Sequence, residues 1–127
     1  MASITVKNVA NADVIYVAKV PSAGDRSPAK WTQDALTGIS GWRPRFDVVT
    51  RDNGNKDGRI IEGNFAYPVT GTVNGTLTLL GTVPLRFSGT LPTNLDVAQV
   101  NEAFVQFGNL LVSTLIRSAA SDGYAPT

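Results

Sequence analysis

The chain has 127 residues, with 11 Lys and Arg against 10 Asp and Glu, and a net charge of +1 at pH 7. That is one domain's length of chain, and its charge balance does not make the whole molecule an electrostatic magnet for nucleic acid. A hydrophobic fraction of 43% is too high for a disordered chain.

Ser3–Val9 alternates polar and apolar residues, and Asp13–Val20 is β-branched and aromatic. With Ala10-Asn11-Ala12 between them, residues 1–20 read as an N-terminal hairpin. Pro21–Pro28 is a loop by composition. Residues 29–91 read as an antiparallel sheet. Ala29–Ala35 is a weak strand, and Leu36–Trp42, with two glycines, is a connection. Arg43–Arg51 is a better strand, with Phe46 and Val48 on one face and Arg45, Asp47, Val49 and Arg51 on the other. Asp52–Gly58 is dense in Asn-Gly and Asp-Gly turn signals, so a hairpin closes there and Arg59–Val69 returns. A second turn, Asn74-Gly75, sits inside a loop Thr70–Thr76. Thr76–Leu91 is the last strand, long enough to need a bulge near Gly81 or Pro84.

Residues 94–121 change to the helical period. Thr93 with Asp96 reads as a capping box with Asp in the Glu position. Val97, Val100, Phe104, Phe107, Leu111 and Leu115 then recur three and four apart. An interior Gly costs about 1 kcal/mol relative to Ala, so Gly108 predicts two helices or one kinked helix, roughly Leu95–Phe107 and Leu110–Ala120. Gly123 and Pro126 stop the run. Its second half is apolar over most of its circumference and calls for burial on more than one side. One sheet covers one side. A second copy of the chain is the simplest cover for the other, with Phe104, Phe107, Leu111 and Leu115 in the dimer contact. Strands first and helices last give an α+β fold: N-terminal β-hairpin plus antiparallel β-sheet, followed by two C-terminal α-helices.

The absence of Cys and His removes disulfides, thiolate metal sites, the commonest metal ligand and the commonest general base. No carboxylates fall at a metal-ligand spacing, and Asp52–Gly58 lacks the alternating ligands of a calcium loop. No glycine-rich phosphate loop exists. The expectation is no enzyme, no catalytic residue, no metal, no cofactor and no small-molecule substrate. No apolar run reaches the length of a membrane span, and the N-terminus lacks the basic and apolar regions of a signal peptide, so no membrane partner is expected. Chemistry concentrates instead on the polar sheet face. Arg45, Asp47, Arg51, Glu62, Asn64, Arg86 and Ser88 share it by alternation, with Lys30 and Thr32 beside them. Arg43, Arg45, Arg51, Arg59 and Arg86 form a candidate basic patch, since guanidinium groups take phosphates bidentately and stack on bases. The competing reading is a solvated surface in which they pair with Asp47 and Glu62. Trp31 and Trp42 read as core or interface packing rather than base-stacking residues. Tyr124 reads either as a docking residue for a neighbouring subunit or as part of a frayed terminus.

Together these segments resemble the coat proteins of single-stranded RNA bacteriophages, the levivirus type. The layout carries the resemblance, with Ala29-Lys30-Trp31 opening a strand, Thr72-Val73-Asn74-Gly75 at the family's inter-strand loop, and Leu110–Ile116 before a Tyr- and Pro-containing end. The resemblance implies an interlocked homodimer whose sheets join edge to edge. Such dimers build an icosahedral shell around genomic single-stranded RNA, assembled in the bacterial host cytoplasm and located in the virion. It also implies an inner sheet face that binds an RNA hairpin as packaging signal and translational operator, and contacts between subunits through Thr72, Val73, Asn74 and Gly75. Arg45 and Arg51 match the family's basic positions on the fourth strand. Its charged position on the next strand falls near Asn64, and its base-stacking aromatic has no counterpart near Gly81–Val83. Lys30, Arg43 and Arg86 complete the expected RNA-contacting set. A small dimeric nucleic-acid-binding module that never forms particles is the alternative.

Overall fold

In the computed structural model residues 1–33, 42–54 and 58–126 are described. The expected strand end Asp34-Ala35, the connection through Gly41 and the turn centre Asn55–Asp57 lie outside them. The chain divides into two compact units, Met1–Thr90 and Leu91–Thr127.

Alternation of polar and apolar residues organises the first unit. Its strands are β1 (Ile4–Lys7), β2 (Asp13–Val20), β3 (Ala29–Gln33), β4 (Arg45–Asp52), β5 (Gly58–Val73) and β6 (Thr76–Pro92). They lie side by side in sequence order, and the pairings from β1 to β5 are antiparallel. Asn11, at φ 61°, turns β1 into β2, a left-handed position that Asn tolerates. Partners across a ladder share a face. On one face Trp31 is therefore opposite Phe46, Phe46 opposite Phe65, and Ile4 opposite Tyr16. Ring centroids stand 5.7 Å apart for Trp31 and Phe46, and 6.2 Å for Tyr16 and Phe65. Trp31 packs as expected, and its Nε1 donates to the Ala2 carbonyl at 2.9 Å, tying the N-terminus to this face. Burial, with Tyr67 as the lesser cause, raises the Tyr16 phenol above its ordinary 10.0.

β5 and β6 differ from expectation. The segment from Thr70 to Thr76 is not a loop, because β5 continues to Val73 and β6 starts at Thr76. Asn74 at φ 52° and Gly75 at φ 78° form the two-residue turn. Left-handed dihedrals at both positions are the type I′ geometry whose twist matches the flanking strands. The Thr- and Gly-rich composition of residues 70–76 suggests a loop, and pairing between β5 and β6 overrides it. An irregularity within the β5–β6 ribbon follows from two close approaches, without fixing it at the expected Gly81 or Pro84. A Cβ on Gly63 would overlap the Phe87 ring, whereas one on Gly71 would lie 2.8 Å from Leu80 Cδ1. The first pair of positions sums to an even number and the second to an odd one. With a side-chain period of two, the ribbon absorbs an odd number of extra residues between these contacts.

The second unit holds α1 (Val97–Leu111) and α2 (Thr114–Asp122). Asp96 is itself the N-cap, accepting from the Ala98 N–H at 3.3 Å, so the capping box based on Thr93 is corrected. Gly108 does not break the helix. It lies inside α1, and its carbonyl accepts from Val112 N at 3.2 Å. The break falls at Val112-Ser113. Ser113 Oγ donates to the Leu110 carbonyl at 2.7 Å, and Ser113 caps α2 in an extended conformation. A serine that finds a local backbone partner competes with helix more effectively than a lone glycine does. Gly123, at φ 80°, ends α2 as expected.

Candidate nucleic-acid interface

The register gathers most of the expected contact residues on one sheet face. Lys30 stands opposite Asp47, Thr32 opposite Arg45, and Asp47 opposite Asn64. Arg51 belongs to the same alternation, across from Ile60. Arg86 joins them from β6, lining one shallow cleft with Arg45, Asp47, Asn64 and Pro84. Lys30, Arg45, Asn64 and Arg86 are exposed.

Two internal contacts decide how much positive charge this face offers. Arg51 Nη2 lies 3.1 Å from Glu62 Oε1, with the two side chains 41% and 37% exposed. Asn64 Nδ2 donates to Asp47 Oδ1 at 3.0 Å. The competing reading of paired surface charge therefore holds for Arg51. Among the described residues Lys30 and Arg86 make no ion pair. Lys30, Arg45, Arg51 and Arg86 outnumber Asp47 and Glu62, so this stretch is net positive.

Two arginines of the candidate patch lie elsewhere. Arg43 sits in the bend ahead of β4, because Pro44, fully enclosed, precedes the first ladder residue, Arg45. Arg59 pairs across the ladder with Asp52, in phase with Phe46, so it belongs to the opposite face. Its guanidinium reaches Asp25 Oδ1 at 2.5 Å and Asp52 Oδ1 at 2.8 Å. That hydrogen bond from Arg59, and then its charge, hold the Asp25 carboxyl below the ordinary 3.8. The same carboxylates raise the Arg59 pKa. The N–H of Arg26, itself left-handed at φ 65°, donates to the Thr50 carbonyl at 2.9 Å. A loop identified only by composition is thus pinned to β4 and β5 through residues 34 positions apart, a pairing with no local sequence signal.

Of the expected inter-subunit residues, Thr72 and Val73 are the last of β5, and Asn74-Gly75 is the turn itself. Of the expected dimer residues, Phe104, Phe107, Leu111 and Leu115 are 39%, 46%, 51% and 63% exposed. No residue of either helix is buried. No described helix is long and apolar enough to cross a membrane.

No protein-family model matches this chain, and no curated protein matches it by sequence. Solved structures do match it. The subunit of the virus-like particle of Beihai levi-like virus 21 superposes with a TM-score of 0.80 at 13% identity, over 100% of this chain and 98% of that one. The virus-like particle of bacteriophage AVE019 gives 0.77 at 10%, over 100% and 98%. The capsid protein of bacteriophage GA gives 0.72 at 22%, over 98% and 95%. The chain has the RNA phage coat protein fold. Within the coat protein fold, the six-stranded sheet and paired helices keep their order at identities where few side chains are shared. Specificity on the polar face must therefore be read from this chain's own residues.

Proposed function

We propose that this chain is the coat protein of a single-stranded RNA bacteriophage. Two copies pair, the dimers close into a shell, and RNA lies against the polar sheet face. The observation that carries the proposal is the agreement in fold along the whole length of both chains with subunits of virus-like particles. Pairing is supported by unfinished burial. No residue of either helix is buried; Phe104, Phe107, Leu111 and Leu115 are exposed for a second copy to cover, and β6 is a sheet edge through which two sheets can continue into one.

On the polar face Lys30, Arg45 and Arg86 are the leading phosphate contacts. Arg51 contributes once Glu62 gives way, and Asn64 orients Asp47. Arg43, off the strand, is the weakest member of the set. Electron microscopy of the expressed protein tests the shell: uniform particles are expected, and dimers alone in solution would favour the module that forms no particles. For the RNA role, an Arg45→Ala, Arg86→Ala variant is expected to assemble with a lower ratio of absorbance at 260 nm to protein. Its RNA affinity should fall less steeply with salt, by about 0.7 in log–log slope per lost contact. Undiminished nucleic acid in such particles would refute that assignment.

A further inference from the structure

We infer that Asn74 is a site of spontaneous covalent modification, in which its side-chain amide is lost to the backbone nitrogen of Gly75 and the tip of the β5–β6 ribbon gains a carboxylate. The inference uses this turn alone and holds whether or not the chain forms a shell.

The chemistry is intramolecular. Gly75 N gives up its proton to hydroxide and bonds to Asn74 Cγ. The Cγ–Nδ2 bond breaks, and the amide leaves as ammonia with a proton from water, which restores the hydroxide. Water then opens the five-membered ring. Attack at Cγ leaves aspartate; attack at the Asn74 backbone carbonyl leaves isoaspartate, with the chain rerouted through Cγ. Nucleophile and carbonyl are held in one chain, so no bimolecular encounter is needed.

Three conditions decide which asparagine reacts. The next residue must not hinder attack, its N–H must not be committed to a hydrogen bond, and the amide must be unrestrained. Gly, without a Cβ, follows only Asn53 and Asn74. Asn74 and Gly75 are exposed. In a two-residue turn the ladder bonds belong to the flanking residues, here Val73 and Thr76, which leaves the Gly75 N–H to solvent. Among the described residues the Asn74 side chain makes no hydrogen bond. Attack requires rotation about the Asn74 ψ, which the tip of an exposed ribbon supplies by local opening. Asn53 shares the glycine but is half-buried, with its Oδ1 enclosed and its own N–H donating to the Gly58 carbonyl at 3.3 Å. Asn11 is left-handed and exposed like Asn74, yet the N–H that follows it, of Ala12, donates to Asn8 Oδ1 at 3.0 Å. Asn64 spends its amide on Asp47.

The product matters because of its place. From Gly63 to Leu85 no residue is charged, and one new carboxylate takes the net charge of the chain from +1 to zero. Isoaspartate also adds an atom to the backbone, which the two-residue turn cannot hold in its original geometry.

The test is to age the purified, folded protein in mildly alkaline buffer. Isoelectric focusing separates the acidic product, and tandem mass spectrometry of its peptides locates the new acid. Position 74 is expected to convert first, as a mixture of aspartate and isoaspartate, well ahead of Asn53 and Asn11. In urea, where the fold no longer separates the two Asn-Gly pairs, Asn53 and Asn74 are expected to convert at similar rates. Conversion of Asn53 or Asn11 as fast as Asn74 in the folded protein would overturn the inference. So would an intact Asn74 after the chain in urea has been converted. Asn74→Gln keeps an amide but must close a larger ring, so it is expected to abolish the leading acidic product. Persistence of that product in the variant would likewise overturn the assignment. The parent measurement needs no variant and stands even where Gln disturbs the turn.

Discussion

In the sheet unit Pro44 is fully enclosed, Tyr16 is buried among aromatic rings, and cross-strand partners meet face to face. In the helical unit the apolar residues are as large, yet none is buried, and Leu110, Val112 and Leu115 are each more than 60% exposed. The difference lies in what each element can bury within one chain. A strand places every second residue on one face and finds its neighbour through a short turn. A helix apolar over most of its circumference needs neighbours on several sides. On the proposed pairing, the stability of the helices depends on a second copy more than that of the β1–β5 ladder does.

The strongest way to break that contrast is to charge the helices. Leu111→Asp and Leu115→Asp are each expected to abolish pairing, seen as a halved mass in light scattering. Truncating a buried Leu to Ala already costs about 2–5 kcal/mol, and an unpaired carboxylate adds desolvation. In the parent protein the unfolding midpoint should rise with concentration, as for any dimer. A parent midpoint independent of concentration, or variants with unchanged mass, would mean that the helices are not completed by a second copy.

The converse perturbation is in the sheet. Gly63→Ala sets a methyl group into the Phe87 ring. Overpacking of this kind costs about 1–3 kcal/mol. The urea midpoint should fall while the dimer survives in light scattering wherever the protein remains folded. Loss of pairing at native levels of folding would tie the two units more closely than proposed.

These residues also mark what the sequence made legible. Alternation in Arg45–Arg51 and Ile60–Asn64 put the right residues on the polar face, because a period of two leaves little choice once one face is apolar. The Asn74-Gly75 turn was equally legible, since few dipeptides tolerate two left-handed positions. The length of the strands around it was not, since Thr and Gly serve strand and loop alike and only pairing decides. Gly108 misled because its cost is intrinsic and small, whereas Ser113 acts through a hydrogen bond to Leu110 that only the folded chain reveals. The link between Asp25 and Arg59 is a tertiary fact for which composition carries no signal, whereas the pairing of Arg51 with Glu62 is the competing reading that alternation already offered.

A smaller effect sharpens the helix side. Asp96→Ala removes the hydrogen bond to Ala98 N and should cost about 0.5–2 kcal/mol. Because the cap acts within its own helix, the loss should appear in the unfolding midpoint with the dimer intact. Asp96→Ser, which restores an accepting oxygen, should recover most of it. No recovery would assign Asp96 a role other than capping.

The smallest expected effect belongs to the loop pinned on the sheet side. The groups facing Arg59 are Asp25 and Asp52, with Arg26 beside Asp25. The folded pKa of Asp25 lies below 3.8, so its stabilising contribution is present above that value and is lost as pH falls through the folded one. Asp25→Asn should therefore lower the thermal midpoint slightly at neutral pH, with a gap from the parent that stays constant down to about pH 3.8 and closes below it. These side chains are roughly half exposed, so solvent screens the pair and added salt should narrow the gap. A gap that persists in strong acid, or is unmoved by salt, would show that Asn disturbs the loop through packing or backbone geometry. The left-handed Arg26 and its hydrogen bond to Thr50, rather than the ion pair, would then be what holds residues 21–28 to the sheet.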